Sequence, residues 1–371
     1  MKNYLVAIVI FVLMFNQKIA RVEIPTPEHE LINFVHEIIG HKKAAKIDSF
    51  FTARARYKIF NGAVLVAEKG RILYQKSFGY SNFRTKDSLH INSLFQLASV
   101  TKPLTACAIL MLCDRGLVSL DDDIRRFFPE FPYDNITVRL LLTHRSGLPD
   151  YLYFADRFWK SRTIPITNDD VLDIMTLYKP SRYYLPDRRY NYSNTNYCLL
   201  ASIIEKVSGL TYAEFMKTQI FDPLGMHNTR ILTYDDLKHD TIENLTTGYS
   251  RWGRASENSY LNGVVGDKGI FSTVEDLFRL DQALYQGNLV SLFALQEAFK
   301  PAHRDLRDYD NYGFGWRINM NGGNKIVFHS GWWKGYKTYF VRKIGEQKTI
   351  IVLTNTAMHN FLSIRRLSEL I

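Results

Sequence analysis

The stretch Phe95-Gln96-Leu97-Ala98-Ser99-Val100-Thr101-Lys102-Pro103-Leu104 constrains this chain more than any other. It leads an apolar, strand-like approach into a helix that opens with Ser99 and presents Lys102 one turn later, on the same face and near the positive end of the helix dipole. A neutral lysine so placed can take the proton of the serine hydroxyl. The helix continues through Thr105–Leu112 to Gly116 and is apolar on nearly every side, which predicts a buried central element that holds the serine rigidly. Pro103 fits the first turn, where its missing N–H costs least. Ser-x-x-Lys alone is a common pattern, and its plainer reading is an N-cap serine followed by a solvated lysine.

Two further elements change that reading: Tyr192-Ser193-Asn194, and His329-Ser330-Gly331 on an expected strand near the C-terminus. In this order the three resemble the signature of the serine β-lactamase and penicillin-binding-protein superfamily. The branch they most resemble has Tyr-x-Asn as its second motif and includes class C β-lactamases, D,D-carboxypeptidases, D-aminopeptidases and esterases. The resemblance covers roughly residues 61–356 and implies a set of roles. Ser99 would be the acylated nucleophile, Lys102 its proton partner, and Tyr192 the group that carries the proton to the leaving group. Asn194 would bond the lysine and the acyl amide, and the backbone N–H groups of Ser99 and Trp332 would form the oxyanion hole. His329 stands where the familiar motif has lysine; a mostly neutral imidazole would bind a substrate carboxylate weakly, which weakens the β-lactamase reading. Gly331 would let substrate approach the strand. Neither a metal nor an organic cofactor is implied. The expected activity is hydrolysis of an amide or ester through an acyl-enzyme, on a D-amino-acid peptide, a β-lactam or an ester. The alternatives are a β-lactamase proper and a silent relative that binds cell-wall peptides as a sensor. Ser99, Lys102, Tyr192 and Asn194 together favour the enzyme, since a binder needs no such set.

With 371 residues, 46% hydrophobic and 23% charged, the chain has the makings of a large core. Its net charge of +10 is spread along the sequence. No basic run interleaved with aromatics argues for nucleic acid. A cationic exported protein would be drawn weakly to anionic envelope polymers, and the N-terminus could associate it with a membrane. Export is expected from the N-terminus: Lys2 precedes a twelve-residue apolar run, Tyr4–Phe15, too short for a comfortable membrane span. Lys18-Ile19-Ala20 is a poor cleavage site, so residues 1–20 read as a signal peptide or an uncleaved anchor. Cys107, Cys113 and Cys198 are odd in number and read as core thiols.

The pattern predicts an α/β fold, an antiparallel sheet flanked by helices with an inserted helical lobe. The sheet lobe is expected over about 26–98 and 264–371, and the helical lobe over about 99–263. A helix is expected from Thr26 to Phe51, then a hairpin of Asn61–Ala67 and Arg71–Gly79 about Glu68-Lys69-Gly70. Helices are expected over 136–148, after Tyr192-Ser193-Asn194 as far as Gly209, and over 212–220. Between Pro149 and Arg189 an aromatic-rich, irregular region is expected, which could wall a substrate pocket or simply pack on the lobe. His144, at a helix end, is expected to bond local carbonyls rather than serve as a triad base. Gly266–Leu277 reads as a glycine-rich entry to a helix capped by Ser272 or Thr273, without the ending of a phosphate loop. Strands are expected over 315–319, 325–329, 336–342 and 348–355, and a last helix over 360–370.

Overall fold

Ala63-Val64-Leu65-Val66-Ala67 is buried on both faces, and this unbroken apolar run is what the middle of a covered sheet requires. In the computed structural model, which describes residues 27–238, 242–302, 311–320, 325–358 and 362–371, with side chains described from residue 40, it is strand β1 (Gly62–Glu68). Lys69 and Gly70 both take positive φ, the two-residue turn whose twist suits a hairpin, and return the chain as β2 (Arg71–Phe78). The chain enters through helix α1 (Pro27–Arg56), which runs five residues past its expected end at Phe51. The leader expected over residues 1–20 lies outside the described residues. No helix among them is long and apolar enough to cross a membrane.

After a small hairpin, β3 (Tyr80–Asn82) and β4 (Asp87–Ser88), the short strand β5 (Phe95–Gln96) leads into a 3-10 turn, Ala98–Val100, and then helix α2 (Thr101–Asp114). Every residue of α2 from Thr101 to Leu112 is buried, as its all-round apolar sequence predicts. The middle of the chain holds α3 (Val138–Leu142), α4 (Tyr151–Phe158), α5 (Asn168–Tyr178), α6 (Asn194–Ser208) and α7 (Tyr212–Met216). α4 and α5 fall in the stretch 149–189 expected to be irregular, where Asp150 and Thr167 cap their starts, and α3 is much shorter than the helix expected over 136–148. His144 and Gly147 adopt positive φ and turn the chain away after Thr143. The helix expected over 212–220 is likewise divided, its second half winding as a wider turn from Lys217 to Phe221.

β6 (Arg230–Ile231) and β7 (Ile270–Ser272) then complete a three-stranded sheet of order β5-β7-β6. Helix α8 (Val274–Gln286) follows, capped by Thr273, whose hydroxyl accepts from Asp276 N; α9 (Leu292–Ala298) comes next. The remaining strands are β8 (Asn311–Tyr312), β9 (Arg317–Asn319), β10 (Ile326–Trp333), β11 (Tyr336–Lys343) and β12 (Lys348–Thr354), and helix α10 (Ile364–Ser368) ends the chain. β9 starts two residues later than expected because Gly315 turns with positive φ. β10 is longer than expected and carries the whole third motif.

The principal sheet has seven strands in the order β2-β1-β12-β11-β10-β9-β8, with every neighbouring pair antiparallel. One hydrophobic cluster runs from Ala63 and Leu65 of the sheet, through α2, to Tyr197 and Leu200 of α6. Residues 46–371 accordingly form one compact unit. Two features of this frame position the site. β9 pairs with β10 only from Ile326 to Phe328, so among the described residues the stretch from His329 to Trp333 has β11 on one side and no strand on the other. Gly331, in that stretch, packs on the turn that carries Ser99.

Candidate active site

Ser99 sits in the 3-10 turn just ahead of α2 and caps nothing. Ala98 before it is buried with φ of 49°, a conformation that costs a residue with a Cβ about 1 kcal/mol or more and that occurs where surrounding structure dictates it. Lys102 follows one turn later, and its side chain is 0% exposed. Its Nζ lies 3.2 Å from Ser99 Oγ, 2.8 Å from Asn194 Oδ1 and 3.0 Å from Asp267 O. On the other side of the serine, Tyr192 OH donates to Ser99 Oγ at 2.9 Å. Two residues picked out from distant stretches of sequence, Lys102 and Tyr192, thus converge on the Ser99 hydroxyl, and a third, Asn194, holds the lysine.

Burial decides the electrostatics. Desolvation pulls the Lys102 ammonium down to about 8; Asp267 and Asp150 oppose this, and Arg317 adds to it. Burial pushes the Tyr192 phenol up, with the hydrogen bond to Ser99 opposing, so it is a proton donor at neutral pH. A phenolate assisted by neighbouring cations, the other way such a tyrosine can act, is not what this environment supplies.

Asn194 is aimed by a residue that sequence reading passed over. Asp150 caps α4, its Oδ1 accepting from Leu152 N, while its Oδ2 accepts from both Asn194 N (3.1 Å) and Asn194 Nδ2 (2.8 Å). That grip fixes the amide so that its oxygen meets Lys102. A cap ahead of Tyr151 is the signal that could have drawn attention to Asp150, but its reach to a residue 44 positions away has no mark in the sequence. Arg317 of β9 was also missed; its guanidinium lies 5.4 Å from the Tyr192 ring centroid and 5.9 Å from that of Tyr312.

The structure gives both His329 and Gly331 of the third motif close partners within the protein. His329 was expected to face a substrate carboxylate. It is 1% exposed, its Nδ1 donates to Ser330 O at 2.9 Å, and its Nε2 accepts from Tyr312 OH at 2.9 Å. Both ring nitrogens are therefore spent on the protein. Burial, with Arg317 and Lys102 nearby, holds the imidazole well below the usual histidine range and so neutral. Gly331 was expected to admit substrate. A Cβ there would lie 2.3 Å from Leu97 O and 2.3 Å from Thr338 Oγ1, so what requires the glycine is the close packing of β10 on the nucleophile turn. Trp332, next on the strand, is exposed, while Trp333 donates from Nε1 to Asn262 Oδ1 at 2.7 Å.

His144 is corrected too. His144 takes positive φ, and its ring is buried. Nδ1 accepts from Ser193 N and Asn196 Nδ2, and the ring centroid lies 4.2 Å from that of Tyr192. It buttresses the tyrosine as a neutral ring, burial keeping it well below its ordinary pKa. In the aromatic-rich region, Tyr151 packs inside, its OH donating to Asp267 Oδ2, whereas Tyr153 is exposed. Cys107 and Cys198 are buried free thiols and Cys113 is half-buried. Among the described residues no three His, Cys, Asp or Glu side chains converge as a metal site would need.

Known proteins resemble this chain in sequence and in fold. The family described as Beta-lactamase matches residues 47–366. Penicillin-binding protein 4* of Bacillus subtilis (strain 168) is 40% identical over 326 residues, which are 84% of this chain and 72% of that protein. Other curated relatives are longer, and the chain spans 57% to 62% of their length. Among solved structures, a penicillin-binding protein from Bacillus halodurans superposes with a TM-score of 0.74 at 26% identity, covering 82% of this chain and 94% of that one. The D-amino acid amidase from Ochrobactrum anthropi SV3, complexed with L-phenylalanine, gives a TM-score of 0.69 at 26% identity, covering 83% and 90%. By fold, by site and by family match, this chain belongs to the Beta-lactamase family, within the β-lactamase and transpeptidase-like superfamily of serine hydrolases.

Proposed function

We propose that the protein is an exported serine hydrolase that forms an acyl-enzyme on Ser99 and hydrolyses an amide or ester of the peptidase and esterase type. The observation that carries this reading is the set of three contacts at Lys102 Nζ. Two of its neighbours, Asn194 Oδ1 and Asp267 O, are carbonyl oxygens that can only accept. A neutral amine has two N–H bonds for them and one lone pair left, which falls to Ser99 Oγ–H. In that form Lys102 can act as the base, and with its pKa pulled down to about 8 a minority of the molecules carry it at neutral pH.

In acylation, Ser99 Oγ attacks the carbonyl while its proton passes to Lys102, and the oxyanion forms against the N–H groups of Ser99 and Trp332. Each such donor contributes about 2.7–4 kcal/mol. As the tetrahedral species collapses, the Tyr192 phenol gives its proton to the leaving amine or alcohol. The Lys102 ammonium then returns a proton to the phenolate, a downhill transfer because burial makes the phenol the weaker acid of the two. Water repeats the cycle on the acyl-enzyme. His329, neutral and bonded to Tyr312, serves the wall behind Tyr192, and Arg317, 5.4 Å from the Tyr192 ring centroid, helps to lower the Lys102 pKa.

Mass spectrometry after exposure to a fluorophosphonate or a penicillin tests the reading. The expected result is one covalent adduct, on Ser99 and lost in Ser99→Ala. Absence of an adduct in the unmodified protein refutes it. A panel of a chromogenic cephalosporin, a D-alanyl peptide and a p-nitrophenyl ester then ranks the substrate classes.

A further inference from the structure

Lys102 has a buried carboxylate on either side. Asp150 reaches it through Asn194, and Asp267 touches it through its main-chain oxygen. Either anion alone favours the ammonium over the free amine that general-base chemistry needs. The segment Gly266-Asp267-Lys268-Gly269 contains an answer to the second. Both glycines have positive φ, and a Cβ on Gly266 would fall 2.4 Å from Tyr197 O, so the segment is threaded tightly against α6. There Lys268 is buried with Asp267. Its Nζ donates to Tyr151 OH at 2.5 Å and to Val264 O at 3.2 Å, and lies 3.5 Å from Asp267 Oδ1. Tyr151 OH in turn donates to Asp267 Oδ2 at 3.0 Å. This closed triangle of ammonium, phenol and carboxylate reaches Lys102 through the main-chain oxygen of Asp267.

We propose that Lys268 is a positioning residue for acyl transfer, whose ammonium neutralises Asp267 so that this carboxylate does not fix Lys102 in its protonated form. The proposal rests on the acyl-enzyme reading above. The groups that face Lys102 are Ser99 from the nucleophile turn, Tyr192, Asn194 and Tyr197 at and within the start of α6, Asp150 at the cap of α4, Asp267 from the glycine segment, and Arg317 from β9, with His144 and His329 both neutral. Among them only Asp150 and Asp267 are anionic, and Lys268 is the cation in direct contact with one of the two. Lys268 and Lys102 also repel each other, which acts in the same direction.

The experiment follows the second-order rate of Ser99 modification by a fluorophosphonate between pH 5.5 and 10. Lys268→Met keeps the apolar stem and removes the charge. It should move the midpoint of the acidic limb up by about one pH unit, a loss of roughly tenfold at pH 7 that shrinks as the pH rises. Asp267→Asn should move the midpoint down. The double variant Asp267→Asn with Lys268→Met, which buries no uncompensated charge, should return it to within about 0.3 units of the unmodified protein. A loss in Lys268→Met that is equal at every pH would show mere structural support and overturn the proposal, as would an unmoved midpoint in Asp267→Asn. If Lys268→Met does not fold, Asp267→Asn and the double variant decide by the same criteria. Failure of the unmodified protein to react at all would instead refute the acyl-enzyme reading itself.

Discussion

The pH dependence of Ser99 acylation follows quantitatively from the burial of Lys102. Only the free amine accepts the serine proton, so the rate of the first chemical step should track the neutral fraction of Lys102. Burial lowers its pKa from 10.5 to about 8. The sign follows from desolvation, which penalises the charged form of a base, so protons leave at lower pH and activity rises with pH until the amine is fully neutral. With a pKa of about 8, the neutral fraction is about 1% at pH 6, about 9% at pH 7 and about 90% at pH 9, so acylation should rise by roughly ninetyfold between pH 6 and 9 and then level off. A lysine at its ordinary value would show a rise of about a thousandfold over the same interval with no plateau. The assay is stopped-flow acylation by an activated ester or the fluorophosphonate, which isolates this step from deacylation. A profile with its midpoint near 6.5 would place the base on a histidine, and one that still climbs at pH 10 would mean that Lys102 is solvated; either outcome refutes the reasoning.

Three further outcomes are expected. Tyr192→Phe keeps the ring on His144 but removes the proton donor, and should cost about 10^2 to 10^4-fold in kcat with an unchanged melting temperature; an unchanged rate would leave Tyr192 a packing residue. Gly331→Ala forces a methyl group onto Leu97 O, so β10 must move off the nucleophile turn; a loss of at least about tenfold in kcat/KM with destabilisation of roughly 1–3 kcal/mol should follow in activity and urea-unfolding assays. Arg342 of β11 and Asp281 of α8 form a buried ion pair at 2.5 Å, which Thr349 of β12 joins, and Asp281→Ala should cost about 3–5 kcal/mol of stability by denaturant unfolding, while acylation of the folded protein persists.

What could be read from the linear sequence was whatever short-range pattern and residue chemistry decide. The all-round apolar run after Lys102 had to be a buried helix, and the alternation change at Asn61 had to open a hairpin. Ser99, Lys102, Tyr192 and Asn194 were legible as candidates because their spacing and residue types, together with the family signature they resemble, stand out locally. Helix ends near His144 were misjudged because a positive φ at a residue with a Cβ is imposed by its surroundings rather than by its own preference. Only the tertiary structure could decide the protonation of the site. Whether Lys102 is a base depends on how completely other segments exclude water from it, and on Asp150, Asp267 and Arg317, which come from three separate parts of the chain. The same holds for His329 and Gly331. Their position in a motif pointed toward the substrate, but Tyr312 on β8 and Leu97 on the nucleophile turn claim them first, because a buried polar atom or a close backbone contact is satisfied by whatever the fold brings nearest, not by what precedes it in sequence.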